Sequence, residues 1–198
     1  MWFRSPAWDA VTYWALDLET GGVDPATDAI IAVGMVPVRG GAVHLGEAWR
    51  TLVRPDGAVT PASMRAHQLV PSELADAPPL AAVVGAIAER LDGAALLVHF
   101  AALDLAFLRQ AFRASGRAWP RPPLVDTVRL LERLAHARRF LDGEGAAPPT
   151  LNLGRARAAL GLPDYAAHDA LLDAIATAEL FLVLRSRLDA RTLRQLRA

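Results

Sequence analysis

The sequence predicts an α/β domain built on a five-stranded mixed sheet, an antiparallel meander followed by parallel strands, with helices on its faces. Two observations carry this. The first third of the chain holds three strand-like runs joined by short glycine-rich breaks. From Pro79 onward, short apolar strands alternate with helical patterns, the arrangement that parallel pairing requires. A third observation sets the scale: at 198 residues and 53% hydrophobic, such a chain buries roughly 70% of its unfolded surface, enough for one core.

The elements follow in order. Val11 to Leu18 is rich in β-branched and aromatic residues and reads as a strand, broken by Gly21, Gly22 and Pro25. Ile30 to Val38 is the second strand, Gly40-Gly41 a hairpin turn, and Ala42 to Val53 the returning third strand. Met64 to Leu69 forms a short helical turn. Leu80, Val83, Val84, Ile87 and Leu91 recur at helical spacing, and Asp92-Gly93 ends that helix. Ala95 to Val98 is a buried strand, Leu103 to Ser115 a helix, Leu124-Val125 a fifth, very short strand, and Thr127 to Arg138 a helix. Leu141 to Pro149 reads as the flexible loop. Helices at Leu151 to Leu160, Asp169 to Leu188 and Ala190 to Arg197 complete a single domain over 1–198 with no internal repeat.

Composition excludes several classes. There are no cysteines, so no disulfide framework, zinc–thiolate centre or cysteine nucleophile exists. The longest apolar stretch, Ala94 to Leu108, is interrupted by His99 and Asp104 and falls short of the roughly 18 residues of a membrane span. The start carries no basic region followed by an apolar run, which predicts no secretory leader and a cytoplasmic protein. The 21 basic groups, all arginine, balance 21 acidic ones. Zero net charge disfavours a protein that coats long nucleic acids but not one that grips a short end. Of the tryptophans, Trp14 and Trp49 fall in strand patterns and are expected to pack; Trp2 and Trp8 are expected to cover a sheet edge or a protein contact.

The chemistry concentrates in three segments. Asp17 and Glu19 lie two apart near a strand end, so both point to one face. Two adjacent carboxylates repel, and a hard divalent cation resolves the conflict. A solvated strand end is the ordinary setting for Asp-x-Glu, so the pair gains meaning only with partners. Asp104 follows a buried strand at the start of an apolar helix, where the helix dipole alone favours an acid. Asp169 is a candidate N-cap able to reach the Leu172 amide. His168 then precedes the last long helix, and Asp173 lies one turn inside it, aimed by Leu171, Leu172 and Ile175.

Taken together, Asp17-Leu18-Glu19-Thr20-Gly21, the run from Val98-His99 to Asp104, and His168-Asp169-Ala170-Leu171-Leu172-Asp173-Ala174 resemble the three motifs of the DEDDh, or DnaQ-like, 3′–5′ exonucleases of the ribonuclease H-like fold. Weaker echoes lie at Ala66 to Leu69, Val125 to Thr127 and Leu151 to Leu162, so the resemblance covers about Thr12 to Leu184. Phe100 stands where the family usually has asparagine, and Leu103 where phenylalanine is frequent. The resemblance implies two divalent cations, Mg²⁺ or Mn²⁺, held by Asp17, Glu19, Asp104 and Asp173, with His168 as general base. It implies a single-stranded DNA or RNA 3′ end as substrate, with nucleoside 5′-monophosphates as products. Leu18 as an apolar wedge, the backbone to Thr20, His67 and Phe100 are the residues expected to line the terminal nucleotide.

Alternatives stand beside this reading. One is a proofreading or scaffold subunit of a DNA polymerase with little activity alone, suggested by the epsilon-like third motif. Against it, no long docking tail is expected beyond Asp173. Another is a nuclease for very short oligonucleotides, which zero net charge suits. Monomer and homodimer both fit, and no membrane partner is expected.

Overall fold

The computed structural model describes residues 5–66, 70–142, 148–165 and 169–198. Its sheet is the predicted mixed one. β1 (Tyr13–Thr20) pairs antiparallel with β2 (Ile30–Arg39) and parallel with β5 (Ala95–Val98), which pairs parallel with β6 (Leu124–Asp126). The order across the sheet is β3-β2-β1-β5-β6, where β3 is Ala42–Val43; β4 (Trp49–Leu52) also pairs with β2. Gly40 and Gly41 both have positive φ, 55° and 83°, as the two-residue hairpin turn demands.

The expected third strand, Ala42 to Val53, is two strands. A 3₁₀ turn at Leu45–Glu47 separates β3 from β4, and both pair with β2. Pro37 supplies the reason. Its carbonyl accepts the His44 N–H (2.9 Å), but proline returns no N–H, so the ladder loses a bond there and the partner strand detours. The sheet therefore has six strands rather than five.

Helices cover both faces. α1 (Pro61–Ala66) and α2 (Pro71–Ala75) lie in the connection after β4; the expected turn at 64–69 starts earlier, and 67–69 lie outside the described residues. α3 (Leu80–Leu91) and α4 (Ala101–Ala114) pack Val83, Ile87, Phe107, Leu108 and Phe112 against Leu16, Leu18, Val33, Met35, Leu96 and Val98. On the other face, α5 (Thr127–Asp142), α6 (Leu153–Ala159) and α7 (Ala170–Arg187) cover Tyr13, Ala15, Val36, Val38, Leu97 and Val125. This is the period-2 alternation of strands feeding two layers. α5 reaches Asp142, two residues into the stretch expected as a flexible loop from Leu141; residues 143–147 lie outside the described set. α8 (Leu193–Leu196) ends the fold.

α7 lies closest to the sheet, and small residues allow it. Ala170, Ala174 and Ala178, spaced one turn apart, are buried, and Gly34 on β2 meets the α7 start directly. A Cβ on Gly34 would stand 2.2 Å from the Ala170 carbonyl. Further along, Phe181 packs against Tyr13 with ring centroids 4.9 Å apart. Trp14 and Trp49 pack as expected, sharing the Arg90 guanidinium at 5.6 and 4.2 Å from their centroids. Trp8 lies against Phe181 and beneath Arg185. Among the described residues, no helix is long and apolar enough to cross a membrane.

Candidate active site

β1 delivers the first two acids. Leu16 and Leu18 bury on the α3–α4 side, so Asp17 and Glu19 project on the α7 side, as strand alternation requires. The β1–β2 register shifts between Glu19 and Thr20, a local irregularity of the kind that re-aims side chains beside a site. Leu18 is thus committed to the core, 9% exposed. Thr20 donates its hydroxyl to the Gly22 carbonyl (2.6 Å), and its own carbonyl accepts the Ser63 hydroxyl (2.6 Å). The strand end is thereby pinned.

α7 delivers the third acid. Asp169 caps it, accepting the N–H groups of Leu171 (3.0 Å) and Leu172 (3.1 Å), as the sequence predicts. Asp173 sits one turn in. Asp17, Glu19 and Asp173 each present a carboxylate oxygen within 4.8 Å of the others. Arg50 on β4 reaches the other Asp169 oxygen at 3.2 Å, placing one cation beside the acids. Nothing in the local sequence around Arg50 points there; β4 carries it in because Arg50 pairs with Gly34, itself opposite Asp17.

Asp104 arrives in the first turn of α4, 8% exposed. It lies outside the tight trio, yet its charge is the strongest of the neighbouring charges acting on Asp17. α4 starts at Ala101, two residues before the predicted start, because Asp126 caps it. The Asp126 carboxylate accepts the N–H groups of Phe100 (3.2 Å) and Ala101 (3.1 Å), and also that of Val128 (2.9 Å) at the start of α5. One buried acid thus fixes two helix starts. His99 adds a second tie. Its Nε2–H donates to the Leu151 carbonyl (2.7 Å) and its Nδ1 accepts the Thr127 hydroxyl (2.7 Å), the tautomer being set by the carbonyl. Burial holds the His99 pKa below its ordinary value, so the ring is neutral.

The electrostatics follow from crowding. Burial, then the charges of Asp104, Glu19 and Asp173, hold the Asp17 carboxyl well above the usual range. Burial, then Asp173 and Asp169, push Glu19 to about 8, with Arg50 opposing. Burial, then Asp126, raise Asp104 to about 8. Acids so placed do not all ionise at neutral pH without a compensating cation. The donor set is all carboxylate oxygen, which suits Mg²⁺ or Mn²⁺ rather than softer metals.

A cleft of about 320 Å³ opens over Asp17 and Asp173, lined also by His99, Phe100, Asn152 and Tyr165 among others. Behind it the buried Arg157 donates to the Ala176 carbonyl (2.7 Å) and Glu179 (2.7 Å), and Tyr165 donates to the same carboxylate (2.9 Å). This network ties α6 to α7. Phe100 is 51% exposed and holds φ 68°, the left-handed region that a phenylalanine rarely adopts. His67 and His168 lie outside the described residues.

Comparison with known proteins bears directly on this arrangement. The family model for exonucleases matches residues 14–181. The DNA polymerase III subunit epsilon-like protein of Rhodobacter capsulatus is 35% identical over 186 residues, 93% of this chain and 25% of that protein. A putative bifunctional exonuclease/endonuclease protein of Mycobacterium tuberculosis is 35% identical over 89% of this chain and 27% of its own length. The Escherichia coli DNA polymerase III subunit epsilon is 28% identical over 85% of this chain and 69% of its length. The chain thus spans about a quarter of the first two relatives. Among solved structures, E. coli Exonuclease I in complex with a dA16 oligonucleotide superposes with a TM-score of 0.76 at 20% identity, over 90% of this chain and 42% of that one, which shows the fold. With the family model covering all three acidic segments, the chain belongs to the exonuclease family, in its DEDDh, or DnaQ-like, branch of the ribonuclease H-like fold.

Proposed function

We propose that this chain is a metal-dependent 3′–5′ exonuclease that hydrolyses single-stranded nucleic acid to nucleoside 5′-monophosphates. The observation that carries the reading is the convergence of Asp17, Glu19 and Asp173 within 4.8 Å, with Asp104 near enough to raise the Asp17 carboxyl. These four side chains would hold two divalent cations, Mg²⁺ or Mn²⁺. Bound there, the cations supply neutralisation of the charge growing at phosphorus and activation of water.

The chain's own residues do the rest. His168, immediately before the Asp169 cap in the sequence, takes the proton of the attacking water, a task for which imidazole is the side chain best suited near neutral pH. The water oxygen bonds to phosphorus, the bond to the departing 3′ oxygen breaks, and that oxygen regains a proton. The backbone from Leu18 to Thr20, the exposed ring of Phe100 and His67 hold the terminal nucleotide. A stacking contact reads no base sequence, so cleavage is largely sequence-independent. The domain spans 1–198 with its motif-bearing core at about 12–184, and works in the cytoplasm as a monomer or homodimer. The polymerase III names of its relatives support a DNA polymerase as partner.

The test is a gel assay on 5′-labelled DNA and RNA strands of one sequence with Mg²⁺ or Mn²⁺. A ladder shrinking from the 3′ end supports the proposal, provided chelator and Asp17→Ala both abolish it. His168→Ala lowers kcat by roughly 10² to 10⁴ while metal affinity is kept. Robust turnover by Asp17→Ala would reject the assignment.

A further inference from the structure

The chain is neutral overall, yet no acidic residue lies between Asp104 and Asp126, and four arginines do: Arg109, Arg113, Arg117 and Arg121. All four are exposed, and together with Trp119 they line a cleft of about 680 Å³ between α4 and β6. Among the described residues none of the four pairs with a carboxylate; Arg113 donates to the Gln110 amide oxygen (2.7 Å). The α4 dipole accounts for a cation in its last turn, Arg113, but not for Arg117 and Arg121 beyond the helix. Arg121 holds φ 51° between Pro120 and Pro122, so its backbone direction is fixed at some conformational cost. Trp119 is anchored edge-on against Phe112, centroids 5.0 Å apart, while keeping part of its surface open.

This cleft and the acidic one share no lining residue, but α4 and its cap border both. The exposed stripe of α4 begins with Phe100 (51%) and Leu103 (44%) at the helix start and continues through Arg109 to Arg113. Phe100 lines the acidic cleft and Arg109 the basic one. From Leu103 to Arg113 the helix rises about 15 Å. Apolar surface where bases would leave the site, then arginines at one-turn intervals, then an anchored indole, is the combination that holds a single strand through its phosphates and base faces.

We infer that the exposed face of α4, with Arg117, Trp119 and Arg121 beyond it, carries the phosphate backbone of the strand on the 5′ side of the cleaved nucleotide. The inference rests on the exonuclease reading above and adds the path of the substrate. It predicts a length dependence: a dinucleotide ends before the arginines, and a long strand engages them.

The test measures a 5′-fluorescein 20-nucleotide strand by anisotropy, with chelator present to stop turnover, over a range of salt. Arg109→Ala/Arg113→Ala is expected to weaken binding by about tenfold at low salt. It should also flatten the slope of log affinity against log salt by about 1.4, since each single-strand phosphate contact contributes about 0.7. With Mg²⁺ restored, KM for the 20-mer rises while kcat for a dinucleotide holds. The charge-matched Arg187→Ala/Arg194→Ala changes neither. Unaltered affinity and salt slope in the α4 variant overturn the track while leaving the exonuclease reading standing. A poly-glutamate peptide that displaces the 20-mer more tightly than unlabelled strand does would also overturn it and assign the cleft to an acidic protein partner. If the parent protein cleaves no strand yet arginine-dependent binding persists, the exonuclease reading falls and the track stands.

Discussion

Asp17 and Gly34 face one another across the β1–β2 pair, and the bare backbone of Gly34 is what lets the start of α7 settle over Asp17. The Ala170 carbonyl occupies the space that a side chain there would need. Because Asp173 follows Ala170 by less than one turn, the distance between the two halves of the acidic trio depends on this absence.

Gly34→Ala tests that dependence. A Cβ 2.2 Å from backbone atoms cannot be relieved by a rotamer change, so α7 must shift. The expected loss is about 1–3 kcal/mol, the range of overpacked cores, together with Mn²⁺ affinity weakened by about tenfold or more. Urea melts and metal calorimetry read the two effects. A destabilised variant that binds Mn²⁺ as the parent does would break the proposed link between this glycine and the site.

Phe100 carries backbone strain and an exposed ring at once. An L-residue in the left-handed region costs roughly 1–2 kcal/mol, and asparagine bears it more readily. Phe100→Asn is therefore expected to raise stability by about 1 kcal/mol, a Tm gain of about 2–4 °C at this size. Losing the ring raises KM for a single strand. A variant melting at or below the parent temperature would show that the ring contact with His99 (centroids 5.6 Å apart) outweighs the strain.

Asp126 accepts three backbone N–H groups from two helices. Asp126→Ala leaves them without this partner, an expected loss of about 3 kcal/mol, since hydrogen bonds to charged groups contribute about 1.5–3 kcal/mol each. Asp126→Asn keeps the shape but removes the charge that helps raise Asp104, so the Asp104 carboxyl moves back toward its ordinary range. Carboxyl titration by NMR measures that movement, and an unmoved Asp104 would contradict it.

Metal-free protein has a predictable pH response. Glu19 and Asp104 titrate near 8 when folded and near 4 when unfolded. Between those values the folded state binds more protons than the unfolded one, so stability is fully present below about pH 4 and falls as pH rises toward 8. Chelated protein is expected to melt at least about 3 °C lower at pH 8 than at pH 5, the shift about 1 kcal/mol produces. Mg²⁺ or Mn²⁺, which bind the ionised acids, remove or reverse the trend. A chelated protein that melts higher at pH 8 would mean that these acids are ionised without a cation.

Local rules carried much of this molecule in its sequence. Strand alternation put Asp17 and Glu19 on one face, Asp169 declared itself a cap three residues before the Leu172 amide it meets, and the glycine pair declared its hairpin. Each depends on neighbours within a few residues, so the chain alone determined it. Leu18 illustrates the limit of such rules: the alternation that aims Asp17 also buries the Leu18 side chain in the opposite layer, away from the wedge position that the motif resemblance implies. Other features required the tertiary structure because their partners are far apart in the chain. Pro37 splits the third strand only because that strand must pair on its proline edge. Gly34 matters only because α7 lands on it, Arg50 because β4 runs beside β2, and Asp126 because β6 ends where α4 begins. These contacts join residues brought together by sheet order, and no local pattern of side chains records sheet order.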